Sequence, residues 1–381
     1  MIIGIDISSI PYSTGVSNYT QNLIRNLLKI DKVNTYKIFF SSLRQPLPQE
    51  ITNYSSYPNV KIYHFRFPPT LLEILWNRLH ILPIESFIGK CDIFHTWDWT
   101  QPPTRSAKTV TTIHDFVPLL FPETQHPKTI QVFKRKLYWA GAEASHFICV
   151  SQNTRSDFIR LFPKIPTNKI SVIYEAAEDK YDQFQKLTPA EKKKKTTVIS
   201  CQYGLKKYIL AQGTREPRKN LDRLVQSFQL FKTHNPDSTV ELAISGKYGW
   251  GKDVSPPSDS SIKILGYIPE KDMVALHAGA ICLCYPSLYE GFGLPVVKSM
   301  KVGTPVITSN LSSLPEVAGK AALLINPTNT QEIAQAMEKI IKSAPLRRQL
   351  ITKGYRQAKQ FSWTKAARET LELYQSLFNN V

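Results

Sequence analysis

Seven residues separate Glu290 from Lys298 in LYEGFGLPVVKSMKVGTPVIT, and Gly291-Phe292-Gly293 stands between the carboxylate and Pro295. A glycine-rich turn followed by a proline that a first helical turn tolerates reads as a helix start. The N–H groups and positive dipole end of such a start favour an anion, and a carboxylate just upstream accepts hydrogen bonds from hydroxyls. A phosphorylated sugar satisfies both, although a bare glycine pair is equally compatible with an ordinary loop-to-helix connection. In Gly213-Thr214-Arg215-Glu216-Pro217-Arg218-Lys219-Asn220, adjacent cations stand ahead of a helix start. A guanidinium beside an ammonium suits a diphosphate, with a solvated surface pair as the plainer alternative. A third candidate is His114-Asp115, closing the run Thr109 to Ile113. Its imidazole suits a sugar hydroxyl or proton transfer, while many strand-end histidines are structural. Gly15, in SSIPYSTGVSNY before an amphipathic helix, lets backbone amides approach a phosphate.

Metal chemistry finds no support: there is no H-x-x-x-H, C-x-x-C or D-x-D pattern. The lack of G-x-G-x-x-G argues against a nicotinamide-dependent dehydrogenase.

These residues must be held by a scaffold, and the sequence supplies two. Short apolar runs at Ile2–Ile7, Tyr36–Phe40, Val60–Phe65, Asp92–His95, Thr109–Ile113 and His146–Val150 alternate with helical patterns, as in βαβ units. The alternation restarts at Tyr208–Gln212 and continues through Thr239–Ile244, Ile262–Leu265, Ala280–Tyr285, Thr304–Thr308 and Ala321–Ile325. Leu221, Leu224, Val225, Phe228 and Phe231 share one helical face, opened by Asn220 as N-cap. The fold class is therefore α/β with two doubly wound domains. The expected boundaries are 1–175, a linker region 176–207, 208–362, and a C-terminal helix 363–381. The linker is assigned from TPAEKKKK, a solvated lysine run. Ligands of open parallel sheets bind at the carboxyl ends of strands, where every candidate above is placed.

At 381 residues, two domains are the natural division. A net charge of +18 invites anionic partners, but Lys plus Arg against Asp plus Glu is 21 to 15 in residues 1–190 and 27 to 15 in 191–381, so the excess is spread out. No nucleic-acid-binding motif accompanies it. Five cysteines without repeated spacing point to a reducing cytosol, and no apolar run is long enough to span a membrane. The start MIIGIDIS lacks a signal-peptide pattern. The expected location is cytoplasmic, with peripheral contact at the inner face of an anionic membrane through cations such as Lys134-Arg135-Lys136.

Taken in order, STGVSNYTQNLI, TTIHDFVPLLFPE, ICVSQNTRSDF, ISVIYEAAED, GTREPRKNLDRLVQSF, LAISGKYGWG, IKILGYIPEKDM, PSLYEGFGLPVVKSMKVGTPVITSN and SSLPEVAGKAALLINP resemble the retaining family 4 (group 1) glycosyltransferases of the GT-B fold, over nearly the whole chain. The pattern is most similar to the mannosyltransferase branch. The resemblance implies two Rossmann-like domains facing across a cleft, with the C-terminal helix crossing back to the first. It implies that Gly15 and Gly213 lie near the donor phosphates and that His114 contacts the transferred sugar. Arg218 and Lys219 would hold the diphosphate, and Glu290 with Gly291, Phe292, Gly293 and Leu294 would hold sugar and phosphates. Tyr267 and Ile268 would border the base, with Asp115 and Glu316 near the same site.

Lys298 departs from the family's E-x(7)-E motif, whose second glutamate accepts hydrogen bonds from the nucleotide ribose; an ammonium only donates. Three readings follow: a donor to ribose oxygens, a turn toward the phosphates or Glu290, or a degraded site. If the site works with altered donor binding, Lys298→Glu is expected to tighten that binding. The functional expectation is metal-independent, retaining transfer of a hexose, mannose favoured, from a nucleotide-diphosphate sugar such as GDP-mannose to a glycan or lipid-linked acceptor in polysaccharide biosynthesis. No other cofactor is expected. The rivals are a catalytically impaired nucleotide-sugar binder and a GT-B nucleotide-sugar epimerase.

Overall fold

A computed structural model describes residues 1–12, 14–97, 99–251 and 260–379. Ser13 of the loop before Gly15, and the last two positions of the expected C-terminal helix, lie outside the described residues.

The chain forms two compact units, residues 1–175 with 363–381, and residues 176–362. In the first, β1 (Ile2–Asp6), β2 (Thr35–Ser41), β3 (Val60–Phe65), β4 (Ile93–Thr96), β5 (Lys108–Ile113), β6 (His146–Cys149) and β7 (Ile170–Val172) form a sheet ordered β3-β2-β1-β4-β5-β6-β7. Every pairing in it is parallel. In the second unit, β8 (Lys207–Gln212), β9 (Val240–Ser245), β10 (Ile262–Gly266), β11 (Cys282–Tyr285), β12 (Val306–Ser309) and β13 (Ala322–Ile325) give the order β10-β9-β8-β11-β12-β13, again all parallel. Central strands such as β9 and β11 are buried along their whole length. Parallel sheets flanked by helices require continuous apolar strands of this kind.

The sequence runs Leu224, Phe228 and Phe231 onto the second sheet, where each is at most 1% exposed. Burying such a side chain stabilises by about 1.5–3 kcal/mol. Asn220 does not cap this helix with its side chain as expected; it takes a left-handed backbone (φ 59°) and bonds elsewhere. The five cysteines are free thiols, Cys282 and Cys284 buried side by side in β11. Burial pushes the Cys282 thiol up to about 12.

The C-terminal helix Trp363–Asn379 packs on the helix Gly15–Ile30 of the first unit. Its Tyr374 hydroxyl lies 2.5 Å from His95 Nδ1, whose Nε2 is 2.8 Å from Thr112 Oγ1. Burial drives the His95 pKa down to about 3, so this internal tie is neutral.

Two expectations are corrected here. Residues 176–207 are not simply a linker: they carry the helices Asp179–Gln185 and Pro189–Gln202. A reciprocal capping box between Thr188 and Glu191 starts the second helix, so the lysine run projects from a capped helix instead of a loop. Nor does Lys134-Arg135-Lys136 present three cations to solvent. Lys136 is fully buried on Thr111 Oγ1 at 2.6 Å, and Arg135 pairs with Glu73 at 2.7 Å, because a helix turns successive residues to different faces. Among the described residues, no helix is long and apolar enough to cross a membrane.

Candidate functional site

The second sheet reverses its winding between β8 and β11, the position where doubly wound sheets bind ligands. Both strands send a loop out at this point. Past β8, Gly213 adopts φ +143°, and a Cβ there would stand 3.2 Å from Lys219 Cε, so glycine lets the lysine stem lie across the chain. The turn Pro217–Lys219 then ends at Asn220, whose Nδ2 donates to Pro286 O at 3.1 Å and Pro327 O at 2.7 Å. Leu288 N donates to Arg218 O at 2.8 Å, so the two loops are stitched together.

The stitching joins Arg218, Lys219, Tyr285 and Glu290, with Glu216 beside them. Arg218 Nη1 donates to Glu290 Oε2 at 2.7 Å and to Tyr289 O at 2.8 Å, while Nη2 lies 2.7 Å from Glu216 Oε1. Lys219 Nζ donates to Glu290 Oε1 at 2.6 Å and to the Tyr285 hydroxyl at 2.7 Å; that hydroxyl in turn donates to Glu290 Oε1 at 2.6 Å. Ser312 Oγ accepts from Glu290 N at 3.0 Å, and Ser313 Oγ donates to the carbonyls of Glu290 and Phe292 at 2.9 and 2.8 Å. Burial pushes the Glu290 carboxyl up, but the charges of Arg218 and Lys219 outweigh it and hold the group down at about 2. Burial lowers the pKa of Lys219, with the neighbouring guanidinium acting in the same direction, against the pull of Glu290 and Glu216. Two cations face two carboxylates in a mostly buried cluster whose formal charges balance.

Gly291, Phe292, Gly293 and Leu294 lead from Glu290 into the helix Leu294–Lys301, with Pro295 in its first turn. Gly293 takes φ +105°, and a Cβ there would meet Leu314 at 2.7 Å, so glycine is required. Glu316 sits half-buried in the short helix Leu314–Ala318 that follows Ser313. Just past β10, Tyr267 is 64% exposed while its neighbour Ile268 is buried.

Lys298 does not join this cluster. It does not pair with Glu290; its Nζ lies 3.0 Å from Glu178 Oε1 and 5.5 Å from the centre of the Tyr181 ring. One turn on, Lys301 Nζ meets Asp182 at 2.6 Å, making a two-rung ladder between the helices Leu294–Lys301 and Asp179–Gln185. Burial raises the Glu178 pKa, but Lys298 and Lys180 with the group's hydrogen bonds together outweigh it and hold the carboxyl below its ordinary value. The sequence argument missed Glu178 and also Tyr285, although Tyr285 ends a strand and was open to the strand-end rule.

In the first unit, Gly15 is the first residue of its helix, capped by Thr14 and Ser17, and a Cβ on it would meet nothing within 4 Å. His114 follows β5. Its Nδ1 lies 2.9 Å from Glu175 Oε1, a buried partner the sequence did not single out, and the Tyr19 ring stands edge-on at 4.7 Å. Asp115 Oδ1 accepts from Val117 N at 2.9 Å, capping the next turn. Among the described residues, no group of three or more His, Cys, Asp or Glu is placed to hold a metal ion.

A family model described as Glycosyl transferases group 1 matches residues 199–357, and one described as Glycosyltransferase Family 4 matches residues 13–179. The O-antigen chain mannosyltransferase B of Escherichia coli is 31% identical over 385 residues, covering 96% of each chain. Among solved structures, a glycosyltransferase from Rickettsia africae matches with a TM-score of 0.70 at 17% identity, over 100% of this chain and 99% of that one. HepE of Anabaena, solved with UDP and glucose, matches with a TM-score of 0.69 at 16% identity, over 99% of this chain and 100% of that one. The fold class is thus GT-B, with two Rossmann-like domains.

Proposed function

The chain belongs to the group 1, family 4 glycosyltransferases, and from that premise we propose that it transfers mannose from a nucleotide-diphosphate sugar, GDP-mannose favoured, to a growing glycan or lipid-linked acceptor with retention of configuration. The observation that carries this reading is the Arg218–Lys219–Tyr285–Glu290 cluster at the switch point of the second sheet. The substrate class follows the names of the relatives: a mannosyltransferase by sequence, and a neighbour solved with UDP and glucose.

In this reading, Arg218 and Lys219 take up the diphosphate together with the N–H groups at the start of the helix Leu294–Lys301, and Gly213 and Gly15 allow close approach. Glu290, already ionised, accepts sugar hydroxyls, and His114 of the first unit is read as a partner for a sugar hydroxyl. Tyr267, exposed beside Ile268, borders the base. The bond from the sugar's anomeric carbon to the phosphate oxygen breaks, and the acceptor oxygen bonds to that carbon on the same face. The hydroxyl proton passes to the departing phosphate. Positioned cations stabilise the charge that develops on the leaving group, so the protein supplies what a bound metal supplies elsewhere. Asp115 and Glu316 have supporting places, by capping one turn and by opening the helix after Ser313.

A lipid-linked acceptor calls for contact with an anionic bilayer. We assign that contact to Ile74, Leu79, Ile81, Leu82, Trp99 and Tyr138, each 39–69% exposed. Asn77 links this group: its Nδ2 donates to Trp99 O at 2.7 Å and its carbonyl accepts from Trp139 Nε1 at 2.9 Å, beside Tyr138. Among the described residues, Glu73 is paired by Arg78 and Arg135 and Glu143 by His80, while Arg78 and Lys134 stay exposed. Exposed aliphatic and aromatic side chains with flanking cations suit an anionic headgroup region. Leu79→Ser/Leu82→Ser should abolish co-sedimentation with phosphatidylglycerol vesicles, and unchanged binding contradicts the assignment.

The activity is tested by incubating the protein with labelled GDP-mannose, UDP-glucose and candidate polyprenyl-linked acceptors, with and without EDTA. An α-mannoside formed equally in both arms supports the reading. Epimerised nucleotide sugar, or binding without product across the panel, contradicts it.

A further inference from the structure

His114 is held in a way that decides which proton it carries. Its Nδ1 is 2.9 Å from Glu175 Oε1, with side chains only 11% and 6% exposed. An ionised carboxylate only accepts, so Nδ1 must carry the hydrogen. The neutral ring then has its lone pair on Nε2. Glu175 is itself fixed by the sheet: two residues earlier, Ile173 N donates to Cys149 O at 3.1 Å, extending the β6–β7 pairing. The ring plane is fixed by the edge-on Tyr19 ring, which packs in turn against Trp97 and Trp363 at 5.5 Å each.

We infer that Glu175 is a positioning residue that sets His114 as a hydrogen-bond acceptor, so that Nε2 takes the proton of a ligand hydroxyl and does not donate to an ether or carbonyl oxygen. This rests on the reading that His114 faces the transferred sugar. It adds a requirement on the substrate: the sugar position facing His114 carries a hydroxyl, and a donor deoxygenated there is discriminated against. Protonation of the ring reverses its role, because an imidazolium has no acceptor nitrogen. Glu175 and Tyr19 both face His114; His95 lies close enough for the two imidazoles to repel each other when charged, and Asp115 is its chain neighbour, with Oδ1 engaged by Val117 N. Of these, Glu175 is in direct contact and favours the imidazolium. Removing it therefore moves the loss of the acceptor form to lower pH.

Two readouts on the full chain test this. The first is GDP release from GDP-mannose as a function of pH for wild type, His114→Ala, Glu175→Gln and Glu175→Asp. Glu175→Gln should lower kcat by about 10–100-fold, the range for loss of an orienting partner, with little change in KM. Its acid limb should shift to lower pH, and Glu175→Asp should recover part of the rate. The second readout is the nitrogen NMR spectrum of 15N-histidine-labelled protein, assigned with His114→Gln, which should show Nδ1 protonated and Nε2 not. If His114→Ala leaves GDP release unchanged, the placement of His114 on the sugar is wrong. If His114→Ala abolishes release but Glu175→Gln keeps the wild-type acid limb, or Nε2 proves to be the protonated nitrogen, the inference is overturned while that placement stands.

Discussion

Two buried lysines of the second unit, Lys219 and Lys298, have nearly the same surroundings and different places in the fold. Each is under 9% exposed, each meets a glutamate within 3.0 Å, and each lies near a buried tyrosine, Tyr285 or Tyr181. Lys219 sits on the loop that leaves β8, one of the two strands where the sheet changes direction, beside a second cation and the start of a helix. Lys298 sits within a helix and, with Lys301, fastens it to its neighbour. The same ion pair thus belongs to the proposed donor cluster in one place and ties two helices together in the other. Position relative to the strand ends makes the difference.

The sharpest way to break this contrast is to remove the shared carboxylates. Glu290→Gln should cut turnover by at least about a hundredfold, the scale of losing one preorganised polar contact in an active site. Measured by GDP release, a loss below tenfold would place Glu290 with the fasteners. Lys298→Glu should act on stability: two carboxylates would then face each other in a buried setting, costing on the order of 3–5 kcal/mol in urea unfolding. The double change Glu178→Lys/Lys298→Glu should restore most of that stability. The sequence-based expectation that Lys298→Glu tightens donor binding gives the opposite outcome: a stable single variant with raised affinity would favour it over the fastener role.

The next effect concerns pH. The Glu290 pKa falls from about 4.5 to about 2 on folding. A depressed carboxylate contributes stability that is present above its unfolded value and lost as pH falls through its folded one. Acid unfolding followed by circular dichroism should therefore steepen between about pH 4.5 and 2, and Glu290→Gln should flatten that part of the curve. The smallest structural effect is expected at Gly15, where a methyl group meets nothing. Gly15→Ala should change thermal stability by under about 0.5 kcal/mol. A drop in GDP-mannose affinity by calorimetry would then report a ligand close to the backbone, and unchanged affinity would move the phosphates away from Gly15.

The scaffold was largely legible because buried parallel strands are continuous apolar runs. Each of the twelve runs expected from pattern overlaps an observed strand; among the described residues, only β7, three residues long, was not among them. Arg218, Lys219 and Glu290 were legible for the same reason, since strand ends converge at a switch point whatever the side chains. Glu175 and Glu178 were not. Their partners lie 61 and 120 positions away in the chain, and no local periodicity encodes such a pairing. The lysine run from 192 to 195 misled because composition signals solvation, whereas the helix around it is set by the cap at Thr188 and by the buried Ile199.

A crystal structure of the protein with GDP-mannose, grown in EDTA, tests the donor cluster most directly. The pyrophosphate should lie within about 3 Å of Arg218 and Lys219, hydrogen-bond distance, with sugar hydroxyls on Glu290 and Lys298 still on Glu178. A nucleotide bound elsewhere, with both cations still turned to Glu216 and Glu290, would contradict the account.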